Sequence, residues 1–287
     1  MDVSAGIADI DNALSMLVDQ KKLYRMDGLY ALRNDAFLVL RRREGNARAA
    51  ALLPLAYRIG RLLSKFPFVR GVGISGSLSK EMADETADID FFIITETNRL
   101  WISRTLLHCL KKLSFLAGKQ HWLCMNYFVD RSALHMPEQN IFIATEVLTL
   151  KPVTGNALPV FFVANRWALR YFPNYRHETL LRSLPVQEPW YKKAMEKLFY
   201  GRIGDWLDDY LMRLTQKRWE EKERKNKRNI KGLPLSLRVG KHFGRPNPDH
   251  FQKKVLNMYA QQLKRLHHEQ SVEVIAMQDH FLRREII

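Results

Sequence analysis

Residues 72–95 read VGISGSLSKEMADETADIDFFIIT, and the order of residue types in this stretch decides the fold. A short apolar run reaches Gly76-Ser77, a polar segment follows, and Asp88-Ile89-Asp90 opens a second apolar run. This order predicts a strand, a tight turn, a short helix and a second strand that carries two carboxylates. Residues two apart on a strand share a face with their Cα atoms about 6.5–7 Å apart, so Asp88 and Asp90 are expected to project together from one edge of the sheet. Two carboxylates this close repel, and a divalent cation between them is the usual resolution.

The first half of the stretch suits a metal-bound triphosphate. A glycine turn lets backbone approach a ligand closely, and a helix starting near Ser77 aims N–H groups and partial positive charge at an anion. The Ser77 hydroxyl adds a donor. Two metal ions roughly 3.5–4 Å apart would then stabilise the attacking and leaving oxygens of an in-line displacement at phosphorus. Lys80, early in the short helix, is a further phosphate-binding candidate, with an ordinary surface lysine as the alternative.

Gly76-Ser77 followed by Asp88-Ile89-Asp90 between apolar residues resembles the signature of the nucleotidyltransferase superfamily typified by DNA polymerase β. The resemblance implies an α/β fold with a mixed sheet and flanking helices, Gly76 and Ser77 gripping nucleotide phosphates, and Asp88 and Asp90 binding Mg²⁺ or Mn²⁺. A broader similarity to uncharacterised prokaryotic nucleotidyltransferase-domain proteins rests on Leu100-Trp101 with Arg104, on Cys124-Met125-Asn126-Tyr127-Phe128, and on Ala164-Asn165-Arg166-Trp167 leading to Phe172-Pro173-Asn174. It points to no named substrate. Arg104 suits phosphate or a supporting contact to carboxylate, because a guanidinium presents a fixed fork of donors; an ordinary ion pair is the alternative.

Active members of the superfamily usually take a third carboxylate from a later strand, and the candidate by context here is Asn126. Its amide oxygen can coordinate a cation but carries no charge and is a poor base. Asp130 lies about 13 Å further along a regular strand, too far to replace it at the same metals. Glu146 is another possible replacement, with a solvent-facing helix residue as the plainer reading. The pattern leaves open an enzyme with an altered third ligand and a nucleotide-binding domain that has lost turnover.

Composition sets outer bounds. The chain has 287 residues, 46% of them hydrophobic, six Trp and a formal net charge of +16. The apolar content and the tryptophans argue against disorder, and the charge favours polyanionic partners such as nucleic acid, nucleotides or an anionic membrane surface, or else marks a basic surface that binds nothing. Cys109 and Cys124 lack the short spacing of a zinc or redox site, and a reduced cytoplasmic setting is the simplest reading. The N-terminus lacks the basic start and apolar core of a secretory signal, and no apolar run reaches the roughly 18 residues of a membrane span.

Residues 1–45 read as a helix followed by a hairpin turning at Asp27-Gly28, similar to the wing end of a winged helix. Residues 46–155 form the expected core and 156–287 a helical C-terminal domain. Asn46 is expected to cap a helix reaching about Lys65, kinked or delayed by Pro54, after the basic Arg41-Arg42-Arg43 face. Asn98 is expected to cap a helix from Arg99 to about Ala117, and Trp122–Val129 to form a strand. Helices are expected over Val160–Tyr171, over Tyr191 to about Glu223 with interruptions near Gly201 and Gly204, and over Asp249–Leu266 after a loop at Arg245-Pro246-Asn247-Pro248. The stretch KRWEEKERKNKRNIK at 217–231 predicts Glu220–Arg224 and Glu223–Lys227 pairs on a solvated helix end, or a track for a phosphate backbone. His242, His250, His267 and His268 do not form a convincing ligand set.

The leading expectation is therefore metal-dependent transfer of a nucleoside monophosphate from a nucleoside triphosphate to an acceptor, with pyrophosphate released. A catalytically impaired nucleotide- or nucleic-acid-binding protein is the alternative. A glycosyltransferase, in which D-x-D holds the metal of a sugar nucleotide, is a third reading that Gly76-Ser77 argues against.

Overall fold

A computed structural model describes residues 6–85, 87–116, 122–175, 178–181, 188–227, 237–246 and 252–265. The chain divides into two units, Met1–Pro246 and Asn247–Ile287. Within the second, residues 252–265 are helical.

The first unit is built on a six-stranded mixed sheet. Helix α1 (Ile7–Asp19) leads into a separate hairpin of β1 (Tyr24–Met26) and β2 (Leu29–Ala31). Its turn has Asp27 at φ 57° and Gly28 at φ 78°, the two positive values that match the right-handed twist of a two-residue hairpin. Then follow α2 (Ala36–Ser64), β3 (Val69–Ser75), a four-residue helix α3 (Gly76–Ser79), β4 (Asp90–Thr95), α4 (Leu100–Leu116) and β5 (Cys124–Asp130). The rest comprises α5 (Ile141–Leu148), β6 (Lys151–Thr154), α6 (Ala157–Ala164), α7 (Trp190–Leu198), α8 (Arg202–Arg224), β7 (Leu237–Gly240) and β8 (Phe243–Pro246). The strand order is β6-β3-β4-β5-β8-β7, with β4 and β5 parallel and every other neighbouring pair antiparallel.

Strand alternation divides the core into two layers. Phe91 and Ile93 of β4 join α2 and α4 side chains such as Ala56, Leu63, Trp101 and Leu107 in one cluster. Phe92 and Ile94 face the other way, into a cluster with Ile143 of α5 and Phe161 of α6. The sheet is thus covered on both faces, which explains why FFII is continuously apolar.

Several boundaries differ from the sequence expectation, each for a visible reason. Helix α2 starts ten residues before Asn46, because the Asp35 carboxylate accepts from the Phe37 N–H at 2.9 Å and caps it there. Asn46 lies inside the helix, and the helix also runs through Pro54. Asn98 does not cap α4 with its side chain; Asp208 of α8 does, accepting from the Ile102 N–H at 2.9 Å. The Val160–Tyr171 helix is split into α6 and a 3₁₀ turn at Arg166–Arg170, because Asn165 turns its side chain to hold other segments. Its amide donates to the carbonyls of Leu134 and Phe161 and accepts from Met136 N–H and Trp167 Nε1, so Asn165 and Trp167 pin a loop.

Residues 156–246, expected to be helical, also supply β7 and β8 to the sheet, and Arg245-Pro246 belongs to a strand rather than a loop. Polar anchors explain why this segment joins the first unit. Trp101 Nε1 donates to the Gly240 carbonyl at 3.1 Å, and buried Arg99 donates to Asp205 and to the carbonyls of Phe199 and Gly201. Arg70 of β3 forms a bidentate pair with Glu196 of α7, 2.8 Å at both contacts. Among the described residues no helix is long and apolar enough to cross a membrane.

Candidate functional site

The first two central strands, β3 and β4, are antiparallel, and Ser75 stands opposite Asp90 where they part. The chain leaves β3 through Gly76, at φ +70°, and enters α3. A side chain at position 76 would collide with Asp90: a Cβ there would lie 2.3 Å from Asp90 Oδ2. Glycine is thus needed both for the left-handed backbone and for the approach of the turn to the carboxylate.

Asp90 is the first residue of β4, and Asp88 lies in the segment just before it. Ile89 between them is fully buried and its carbonyl accepts from the Cys124 N–H at 3.1 Å, extending the pairing with β5. Asp88 and Asp90 are both half-buried. Their shared neighbourhood registers in the Cys124 thiol, which burial pushes up to about 12 with help from the negative charges of Asp90 and Asp88.

Asn126 reaches this corner through an irregularity. In the parallel β4–β5 pair Phe91 opposes Met125 and Phe92 opposes Tyr127, so Asn126 is an extra residue with no partner of its own. Bulges of this kind bend a strand and re-aim a side chain. Asn126 Nδ2 donates to Asp90 Oδ1 at 2.5 Å, while its Oδ1 accepts from Cys124 Sγ at 3.1 Å. The protonated thiol fixes the amide with its NH₂ toward Asp90.

A second layer of contacts holds the turn. Ser79 Oγ and Lys80 Nζ both donate to the Gly76 carbonyl at 2.9 Å, and Lys80 also pairs with Glu146 of α5 at 2.8 Å. The chain between α3 and β4 is tethered to α2 by Arg41–Asp84, by Arg42 to the Lys80 carbonyl and by Arg48–Glu85. Arg43 instead pairs with Asp27 in the hairpin turn at 2.5 Å. The arginine triplet is therefore a set of exposed tethers.

The structure brings Gly76, Asp90 and Asn126 into contact, with Ser77 next in the turn, Asp88 two residues before Asp90, and Lys80 and Glu146 behind the glycine. Arg104 goes elsewhere. It is buried between the rings of Trp101 and Phe128, 5.4 and 5.9 Å from their centroids, and lines a cavity between α4 and α8. Asp130 also lies apart, at the far end of β5 opposite Thr95. It is wholly buried and accepts from Asn98 N–H, Ser132 N–H, Ser132 Oγ and His242 Nδ1. His242 is thus a partner of a structural carboxylate; His250, His267 and His268 lie outside the described residues. The expected pairs on α8 give way to other contacts: Glu220 accepts from Gln216, and Glu223 from the Leu237 N–H.

Among the described residues no three His, Cys, Asp or Glu side chains are grouped to hold a metal ion. Two carboxylates with an amide beside them nevertheless fit Mg²⁺, which is commonly held by one or two carboxylates while waters and substrate phosphates complete its octahedron. The Cys124 thiol is a soft donor and does not suit Mg²⁺, a hard cation that takes oxygen ligands. Searches found no matching family model, curated protein or solved structure.

Proposed function

We propose that the corner formed by Gly76, Asp88, Asp90 and Asn126 binds a nucleoside triphosphate and transfers its nucleoside monophosphate to an acceptor hydroxyl or phosphate, on a nucleotidyltransferase-like fold. The observation that carries this reading is the close approach of the Gly76 turn to Asp90, where a Cβ would lie 2.3 Å from the carboxylate. It puts the backbone of a tight turn against a carboxylate, as binding a metal-bridged phosphate chain requires. The antiparallel β3–β4 pair and the parallel β5 carrying Asn126 support the same reading.

Asp88 and Asp90 would hold Mg²⁺ or Mn²⁺, which supplies charge neutralisation at the phosphates. Gly76 lets the turn approach those phosphates, and Ser77 offers a hydroxyl donor. In the transfer the acceptor oxygen bonds to the α-phosphorus, the bond from that phosphorus to the bridging α–β oxygen breaks, and pyrophosphate leaves with the electron pair. When the acceptor is a hydroxyl, its proton cannot go to Asn126; Asp88 or Asp90, the carboxylates of this corner, would take it. Lys80 holds the turn through the Gly76 carbonyl and is neutralised by Glu146.

A second reading is favoured by one observation: the NH₂ of Asn126 already satisfies Asp90 Oδ1. An amide in place of a third carboxylate gives a site that binds nucleotide with a single metal and does not turn it over. The two readings separate on pyrophosphate release from each common nucleoside triphosphate with Mg²⁺ or Mn²⁺, in the presence of mixed RNA and small-molecule extract. Release that is lost in Asp88→Asn supports transfer. Metal-dependent nucleotide binding without release supports the second reading, and neither binding nor release in the wild type sinks both.

A further inference from the structure

The cavity between α4 and α8 lies outside the site just described and has a chemistry of its own. Its volume is about 460 Å³, and its lining includes six cations: Arg104, Lys112, Arg218, Lys222, Lys225 and Lys227. Glu221 is the one acidic side chain among the described lining residues. Arg104 forms the floor at 8% exposure, Lys222 is half-buried, and the other four cations are exposed at the rim.

Charges in this position call for a partner. Arg104 makes neither a hydrogen bond nor an ion pair with the described residues; only the faces of Trp101 and Phe128 hold it. His108 also lines the cavity, and its Nε2 is buried without a hydrogen-bond partner. His108 Nε2 is a buried polar atom left unpaired and Arg104 a largely buried charge with no counter-ion among the described residues, so an anion that enters the cavity stabilises both. Burial first, then the neighbouring cations Lys227, Arg104, Arg218 and Lys112, lowers the proton affinity of Lys222. The His108 imidazole is held neutral, pushed down to about 3 by burial and by Arg104, and a neutral ring can present an N–H at Nε2.

We propose that this cavity binds a compact small molecule carrying several phosphate groups. The six cations line one hollow between α4 and α8, and the most buried of them, Arg104, sits at its floor. A nucleic-acid strand carries one charge per nucleotide along an extended path, and tracks a line of exposed cations. Six cations around one hollow instead match several phosphates on one small molecule. Arg104 would grip one phosphate through its fixed fork of donors, His108 Nε2–H and the Thr105 and Thr215 hydroxyls would fill remaining acceptor positions, and the rim lysines would neutralise the rest. The proposal stands independently of nucleotidyl transfer.

The test is calorimetric titration of the full chain with inorganic tripolyphosphate, at low salt and with a chelator present so that no metal-dependent binding at Asp88 and Asp90 contributes. Saturable binding is expected, weakening with added salt and accompanied by a rise in thermal midpoint. Combining Lys112→Glu with Lys225→Glu on the cavity rim should weaken it by about tenfold or more, and Arg104→Met by a similar factor. Asp90→Asn should leave it unchanged. If Arg104→Met fails to fold, the rim variant alone decides. Absence of saturable binding, or binding that the rim variant leaves intact, overturns the proposal. So does preferential binding of a single-stranded oligonucleotide through the same residues.

Discussion

The amide nitrogen of Asn126 lies 2.5 Å from Asp90 Oδ1, across the parallel β4–β5 pair and at the one residue of β5 that the ladder skips. The contact has two sides. It places the β5 side chain where a third metal-binding group is expected, and it satisfies an Asp90 oxygen with a donor that no metal can use. Cys124 sharpens the arrangement by occupying the amide oxygen with its thiol proton.

Asn126→Asp tests what this geometry is for. Replacing the donor by a carboxylate this close to Asp90 leaves two facing charges without compensation, and in metal-free buffer should destabilise the fold by about 1–3 kcal/mol. Mg²⁺ should restore the loss, so the metal-dependent rise in thermal midpoint is expected to be larger in the variant than in the wild type. If the site performs transfer, pyrophosphate release should also increase. Equal Mg²⁺ shifts in both proteins would show that Asn126 does not face a metal position.

Gly76→Ala combines two penalties at one atom. The backbone is left-handed at φ +70°, and the added methyl would collide with Asp90 Oδ2. A non-glycine residue in this conformation costs about 1–3 kcal/mol before the collision is counted. The expected result is a lower urea midpoint together with loss of metal-dependent nucleotide binding, since Asp90 must move aside. Retained nucleotide binding at wild-type affinity would remove the turn from the site.

The legible parts of this molecule were those governed by local rules. The 72–95 stretch showed its strand, turn and second strand because apolar runs, a glycine and polar punctuation follow one another within a few residues. The Asp27-Gly28 hairpin was readable for the same reason. What could not be read depends on partners far away in sequence. Asp208 caps α4 from 106 residues further on, and Arg104 finds its place through a cavity completed by α8. The bulge at Asn126 is a register shift between two strands, which no single-strand pattern records. The β7–β8 hairpin is short and lies beside a densely charged stretch, so its apolar alternation was too brief to register as strand.

Asp130 offers a test of a role that the sequence left open. Its carboxylate is wholly buried and accepts hydrogen bonds from Asn98, from Ser132 twice and from His242. Asp130→Asn keeps the volume but turns an NH₂ toward some of those donors, and should cost about 2–4 kcal/mol. In the surviving folded fraction nucleotide affinity should be unchanged, because Asp130 sits at the opposite end of β5 from Asn126. A variant of normal stability that had lost nucleotide binding would instead make Asp130 part of the site.

Asp208 gives a pH dependence with a defined sign. Burial pushes its carboxyl up to about 7 from the ordinary 3.8, against the opposing pull of the Ile102 and Trp101 N–H groups and of Arg99. Its Oδ2 has no hydrogen-bond partner among the described residues. The folded protein therefore holds this proton more tightly than the unfolded chain does. Between roughly pH 4 and pH 7 folding takes up a proton at Asp208, and the stability it contributes falls as pH rises through that window. Asp208→Asn keeps an oxygen to cap α4 and removes the titration. Urea unfolding at pH 5 and pH 8 should show the wild type losing about 2 kcal/mol more than the variant over that interval. Identical losses would mean that Asp208 is ionised throughout, with its charge stabilised by Arg99 and the start of α4 rather than suppressed by burial.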